Sequence, residues 1–279
     1  MSAATLTRTA RITRTGPGAP ARRIACLARA EALLLRRNPL ALLNALVIPV
    51  AMVAFVRFGL PSDSAGRRGD AGAGTVTALT AFTLLTVVYI NLVPALVARR
   101  EELVLKRLRT GETGDAEILA GTSAPAVALA WGQIVLGVLA AVGVFGMGMP
   151  TNPGLVLVAI VLGTAVFVLL AVASTALTRT VEMAQVTTIP GYAVPLLLSG
   201  LMFPLDALPE PVQRLAQVLP LTPVVDLLRL GLTGTTPGGA TVALAGSFRP
   251  AVVPVLVLAA WVVAGVWATR RWFRWEPRR

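Results

Sequence analysis

The sequence predicts an all-α polytopic membrane protein with six transmembrane helices and both termini on the cytoplasmic side. Three observations predict it. Hydrophobic residues make up 56% of the 279 residues and charged residues 14%, whereas a soluble domain carries roughly a quarter charged residues. Six uncharged stretches approach or exceed the ~20 apolar residues needed to cross a hydrocarbon core about 30 Å thick. The arginines and the single lysine between those stretches are divided unequally between the two sides.

The six stretches are 38–56, 75–98, 118–149, 154–178, 183–205 and 250–269. The first ends at Arg57, which can snorkel to the interface. The third, with 32 residues, is longer than a simple span needs, so its first turns are expected outside the core. The tight turn Pro150-Thr151-Asn152-Pro153 separates it from the fourth. The fifth carries Pro190 and Pro195, which membrane helices tolerate when neighbours re-satisfy the backbone. The sixth closes with Trp261, Trp267 and Trp272, a pattern expected of interfacial anchors.

With the N-terminus inside, segments 1–37, 99–117, 179–182 and 270–279 hold 8, 5, 1 and 5 basic residues, 19 in all. Segments 57–74, 150–153 and 206–249 then hold 3, 0 and 3, or 6. Cytoplasmic loops are the richer in arginine and lysine, so both ends are expected in the cytoplasm. Residues 1–21 read as a disordered cytoplasmic tail. The first 23 residues hold five arginines and no apolar stretch, unlike a cleaved secretory signal. Residues 22–279 read as one six-helix membrane domain.

Composition also narrows the chemistry. Cys26 is the only cysteine and histidine is absent, which removes intramolecular disulfides and the commonest metal ligand and general base. No metal site is expected. The formal net charge of +12 could attract nucleic acid, but the charges flank apolar runs, where lipid headgroups are the natural partner. The halves of the chain show no internal repeat, unlike secondary transporters built from inverted repeats.

Three segments are too short or too charged to span. In 22–38, Arg22, Arg29 and Arg36 share one helical face, while Ile24, Leu27, Ala28, Leu34 and Leu35 share the opposite one. This suits an amphipathic helix lying in the cytoplasmic interface, ended by Asn38-Pro39. Glu31 falls within its apolar face. Two readings stand for it: a carboxylate that reaches water, or one paired with an arginine of the 99–109 loop, because an unpaired buried charge is costly.

The loop 99–117 carries five basic and five acidic residues. Its first part, with Arg99, Arg100, Glu101, Glu102, Leu105, Lys106, Arg107, Leu108 and Arg109, has helical character. Glu102 and Lys106 form a favourable i,i+4 pair, and Gly111 and Gly114 break the run. Mixed charge around a small apolar patch suits a protein contact.

In 199–234, Val212, Leu215, Ala216 and Leu219 repeat at helical spacing, so 211–219 reads as a short amphipathic helix stopped by Pro220. Thr222-Pro223 reads as an N-cap with a first-position proline. A second apolar helix runs to about Leu232, with Asp226 and Arg229 close enough to pair. Neither helix is long enough to span, so the pair is expected to dip into the outer leaflet and return, or to lie on it.

These residues resemble the permease subunits of ABC type-2 exporters, including the daunorubicin-resistance type. Ser199-Gly200, Phe203-Pro204, Leu208-Pro209, Leu219-Pro220 and Arg229 look like that family's re-entrant outer hairpin. Arg99-Arg100-Glu101 with Leu105-Lys106-Arg107-Leu108-Arg109 is similar to its coupling helix between spans two and three. Glu31, Arg36-Arg37-Asn38-Pro39 and Pro49 are similar to its connecting helix and first span. Where many members carry a proline soon after the coupling helix, this chain has Thr110-Gly111-Glu112.

The resemblance implies a half-transporter in a bacterial-type cytoplasmic membrane that forms a homodimer, contacts membrane lipids and is driven by a separate ABC ATPase. It implies an ATPase-coupling interface at Arg99, Arg100, Glu101, Glu102, Leu105, Lys106, Arg107, Leu108 and Glu31. It implies no cofactor in this chain, ATP and magnesium being used by the partner. The sequence agrees on its own account. The only lysine, Lys106, stands between Leu105 and Arg107, so it cannot serve a G-x-x-x-x-G-K-[ST] phosphate loop.

The chain is thus expected to be a transport subunit and not an enzyme. Asn44, Asn91, Gln133, Ser174, Thr175, Gln185, Tyr192 and Ser199 are the polar groups noted in the spans. No charge lies deep in the membrane to serve a proton relay. Sparse polarity suits an amphiphilic or hydrophobic cargo, drug or lipid-like, and helix-to-helix bonding is the default role of those polar groups. A scaffold without transport activity, a secondary transporter and a membrane-embedded enzyme are the competing readings. The enzyme reading lacks any cluster of carboxylates, histidines or nucleophiles.

Overall fold

The computed structural model describes residues 47, 50–55, 57–58, 68–102, 115–201, 205 and 208–272. Among these, the elements are helical, with one isolated bridge between Thr235 and Thr241. Most of the expected first span and the segments 22–38 and 103–114 lie outside the described residues.

Val53, from the expected first span, is buried with Ala73, Val76, Ala141 and Phe145. After it come helix α1 (Arg68–Thr83), a π-helical segment (Leu84–Ile90) and helix α2 (Asn91–Glu101), with one 33-residue run from Gly69 to Glu101. The threonines of this run would be costly in an apolar interior without partners. Thr75, Thr77, Thr80 and Thr86 donate to the carbonyls four residues back, at 2.7–2.9 Å, which satisfies each hydroxyl inside its own helix. The widened π turns end at Ile90, four residues before Pro94. Proline has no N–H to bond the Ile90 carbonyl and its ring crowds that position, the kind of defect at which helices bend or widen.

Helix α3 (Asp115–Phe145) has 31 residues and places Asp115 and Glu117 in its first turn, where the helix dipole favours carboxylates. At ~1.5 Å per residue it is about 46 Å long, longer than the core it would cross, as expected from its uncharged length. Helix α4 (Pro153–Ser174) starts where the Pro-rich turn predicts. The Asn152 side chain accepts from the Leu155 amide at 3.2 Å, and Pro153 takes the first position.

The expected fifth span is not one helix. Residues of 183–205 fall into helices α5 (Val181–Thr187) and α6 (Ile189–Leu198), joined at Thr188. Pro190 lies in the first turn of α6, where its missing amide does no harm; continued from α5, it would remove a main-chain bond. Thr180 caps α5 by accepting from the Met183 amide at 3.3 Å.

Helices α7 (Glu210–Val218) and α8 (Leu221–Thr233) meet at 82°. Helix α9 (Phe248–Trp272) follows a short 3-10 turn, Leu244–Ser247. Four helical runs are long and apolar enough to cross a membrane: Gly69–Glu101, Asp115–Phe145, Pro153–Ser174 and Leu244–Trp272. The bent α7–α8 pair would make a fifth if it counts as one span. The described residues therefore carry four or five candidate spans where the sequence suggested six crossings of the whole chain.

The core is built around α4 and α8. Helix α8 packs against α1, α4 and α9, and α4 also packs against the π segment and α9. Residues 221–225 of α8 are all buried, as are Leu227, Leu228, Leu230, Gly231 and Leu232. Burial around the whole circumference marks an internal helix, so α8 does not lie on a surface. Thr222 sits inside α8 and donates to the Leu198 carbonyl at 3.2 Å; the N-cap position belongs to Pro220, which corrects the expected Thr222 cap.

Two close approaches set the depth of α8. A Cβ on Gly163, near the middle of α4, would stand 2.9 Å from Leu84 and 3.0 Å from Val224. One on Gly231 would stand 2.7 Å from Val156 Cγ2 and 3.1 Å from the Asn152 carbonyl oxygen. Small residues let membrane helices approach this closely. Helix α8 thus begins level with the middle of α4 and ends level with its first residue.

Candidate functional site

The two ends of the bundle differ in chemistry. At one end gather residues 99–102, Asp115, Glu117, Arg179, Glu182, Arg270 and Arg271, at the termini of α2, α3, α4, α5 and α9. At the other end the turn before α4 meets the last turn of α8 and the start of α9.

Within the charged end, neighbours in sequence are used differently. Glu101 and Glu102 are exposed. Arg100 is 1% exposed and is one of the largest fully buried side chains. Its Nη1 donates to the Thr175 carbonyl at 2.9 Å, and its Nη2 to those of Thr178 at 2.6 Å and Arg179 at 3.2 Å. These carbonyls belong to the C-terminal cap and exit of α4, where helices leave carbonyls unpaired and the dipole is negative. Arg100, expected at a coupling interface with Arg99, Glu101 and Glu102, has its guanidinium inside the bundle, because α2 turns that face toward α4.

Of the other residues expected at the coupling interface, Glu31, Leu105, Lys106, Arg107 and Leu108 lie outside the described residues. Glu182, in the first turn of α5, has its carboxyl held below the usual carboxylate range by its own backbone amide and by the Thr180 hydroxyl.

The interior polar groups bond one another across helices. Thr83 Oγ1 donates to Gln133 Oε1 at 3.2 Å, linking α1 to α3. The Tyr89 and Ser174 hydroxyls meet at 3.1 Å, linking the π segment to α4. Trp131 Nε1 donates to Thr164 Oγ1 at 3.1 Å, linking α3 to α4. Gln133 and Ser174 were visible as polar positions in the sequence. Their partners were not, since threonine and aromatic residues are ordinary in apolar helices.

At the opposite end, the Thr151 and Asn152 amides donate to the carbonyls of Leu232 at 3.3 Å and Gly231 at 2.8 Å. Asn152 Nδ2 donates to Ser247 Oγ at 2.9 Å. Gly200 has φ +74°, and its carbonyl accepts from Arg229 Nη2 at 2.8 Å. That bond gives a physical reason for the Gly200 and Arg229 match, and the guanidinium also lies close enough to interact with Asp226, as expected. Asp226 and Arg229 also share a cleft of about 260 Å³ with the turn 235–239. Pro209 and Pro220 occupy the N-cap positions of α7 and α8, while Phe203 and Pro204 lie outside the described residues.

The tryptophans also divide. Trp267 and Trp272 pack edge to face with centroids 5.0 Å apart near the end of α9. Trp261, expected as a third interfacial anchor, sits halfway along α9 and donates to the Val218 carbonyl at 2.8 Å, the last residue of α7.

Such an arrangement, with long apolar helices, a charged end tied to the core and a bent helix pair filling the other end, defines a polytopic membrane protein. The chain belongs to the ABC-2 type transporter family, which matches residues 22–233. It is a membrane permease component of an ABC-type transporter, a family that works with an ATPase subunit. Comparison with curated proteins finds no match.

Proposed function

We propose that this chain is half of an exporter in a bacterial-type cytoplasmic membrane, paired with a second copy of itself and driven by a separate ATPase. The charged end of the bundle faces the cytoplasm in this reading. The six crossings are 38–56, the four long runs and the broken α5–α6 segment, and α7–α8 form a re-entrant outer hairpin. Closure of the ATPases pushes on Glu101, Glu102 and the 103–109 segment, and the two bundles rock to open a path between them. Magnesium and ATP act in the partner.

The observation that carries the proposal is the exposed acidic pair Glu101 and Glu102 at the tip of a helix whose adjacent residue is fastened into the core. A docking surface must be accessible and also connected to what it moves. Two further features support it. The Glu210–Arg214 ion pair stands exposed on α7, whose last residue lies beside the middle of α9; a charged face at that level fits a water-filled outer cavity better than lipid. Thr83 and Gln133, Tyr89 and Ser174, and Trp131 and Thr164 are engaged with each other, which suits an amphiphilic or hydrophobic cargo, drug or lipid-like, entering from the inner leaflet.

Co-expression with candidate ABC ATPase subunits from the same genome, followed by pull-down and ATP hydrolysis in lipid, tests the reading. The expected result is a stable complex that charge reversal at Glu101 and Glu102 weakens. Failure of the chain to co-purify with any nucleotide-binding protein refutes it.

A further inference from the structure

The helix that carries the charged end has a weak section. Between α2 and the rest of its run lie seven residues of π helix, with Pro94 one turn further on. Segments of this kind yield to bending, so a displacement at Glu101 and Glu102 would be absorbed at 84–94 if α2 stood alone. Helix α4 has no such section. Its 22 residues run without an internal proline after Pro153.

We infer that Arg100 is the positioning residue that transfers displacement of the α2 tip to α4, and that α4 is the strut carrying it to α8. The inference rests on the proposed ATPase-driven reading for the source of the displacement. Arg100 is suited to the role by geometry. A planar guanidinium with two nitrogens on three carbonyls fixes direction as well as distance, which a lysine ammonium on a flexible stem does not. Charge-assisted bonds of 2.6 and 2.9 Å are among the stronger ones. At the far end of α4, main-chain bonds from Thr151 and Asn152 to Leu232 and Gly231 join the strut to α8 without any flexible side chain between them. Between the ends, Gly163 seats Val224 against the α4 backbone. Sliding α4 by about one ångström along its axis would lengthen those bonds past useful geometry, so α8 must follow.

The test uses the full chain with Cys26→Ser and spin labels at Ala95→Cys and Leu177→Cys, two exposed positions on either side of the joint and outside the proposed docking surface. Intra-protomer distances are measured in nanodiscs, first for the permease alone, then for its complex with the ATPase before and after trapping with magnesium, ATP and vanadate. With Arg100 present, a narrow distribution that trapping leaves unchanged is expected. Arg100→Met should at least double its width and let the mean separation change on trapping, with Arg100→Lys in between. Should Arg100→Met not fold, Arg100→Lys carries the comparison alone.

A distribution as narrow and as steady in the variants as in the parent overturns the proposal. So does a parent distance that shifts on trapping, or a variant that only lowers the melting temperature with no trapping-dependent change. If no ATPase binds, the proposed function fails, while the first measurement still decides whether Arg100 holds the two helices together.

Discussion

Replacing Gly231 by alanine tests the contact that joins α4 to α8. The new Cβ would lie 2.7 Å from Val156 Cγ2, 3.0 Å from the Val156 amide nitrogen and 3.1 Å from the Asn152 carbonyl oxygen. Two of these neighbours are main-chain atoms, so no rotamer change relieves the clash and the helices must separate by several tenths of an ångström. Overpacking of this kind costs about 1–3 kcal/mol. Separation also strains the bonds from Asn152 N at 2.8 Å and Thr151 N at 3.3 Å, each contributing about 0.5–1.5 kcal/mol. Alanine returns about 1 kcal/mol of helix propensity over glycine. The net loss is about 2–3 kcal/mol, which corresponds to a fall in melting temperature of about 4–12 °C by the size scaling of globular chains. The assay is thermal melting of the purified permease in one lipid, followed by monodispersity. Gly143→Ala is the control, because a Cβ there meets nothing within 4 Å; its melting temperature should hold or rise. If Gly231→Ala melts with Gly143→Ala, the close approach does not hold α4 to α8 and the reasoning fails.

Three further outcomes follow from the interior and the charged end. Gln133→Leu should cost about 1 kcal/mol by stranding the buried Thr83 hydroxyl; adding Thr83→Val should recover part of that, and a strictly additive double variant would show that the two do not interact. Trp261→Phe should remove the bond to the Val218 carbonyl at about 1 kcal/mol. Faster hydrogen exchange confined to the end of α7 and the start of α8 checks it, and unchanged exchange there would count against the assignment. Glu182 titrates below its ordinary value of 4.5, so its contribution to holding α5 is fully present above pH 4.5 and fades as pH falls through its lower folded value. Exchange protection of α5 should therefore drop in that acid window, the drop should vanish in Glu182→Gln, and Thr180→Ala should move it to higher pH.

The sequence by itself determined the helical membrane class, because apolar length and the placement of arginine depend only on composition along the chain. It also located the α4 start at Asn152-Pro153, the α7 and α8 boundaries to within about two residues, and the charged tip of α2. Local rules suffice for these: a proline that cannot donate, an asparagine that caps, a charge that cannot enter hydrocarbon. The residues matching an ABC-2 permease were legible for the same reason, as punctuation between apolar runs.

Tertiary structure decided the rest, where the outcome depends on what a side chain meets across the bundle. Nothing in Arg99-Arg100-Glu101-Glu102 distinguishes the arginine that is enclosed from the residues that face out; the rotation of α2 against α4 does. The uncharged run 183–205 gave no sign of where it would be interrupted; Pro190 cannot bond the Val186 carbonyl, and the helix is interrupted at Thr188. How deeply helix α8 is enclosed could not be read from its sequence; glycines at 163 and 231 let it pack closely against α4. Apolar length tells a chain that it must leave water. Which faces then meet is set by shape and by the few polar groups that must find partners, and those are separated in sequence by 24 to 95 residues.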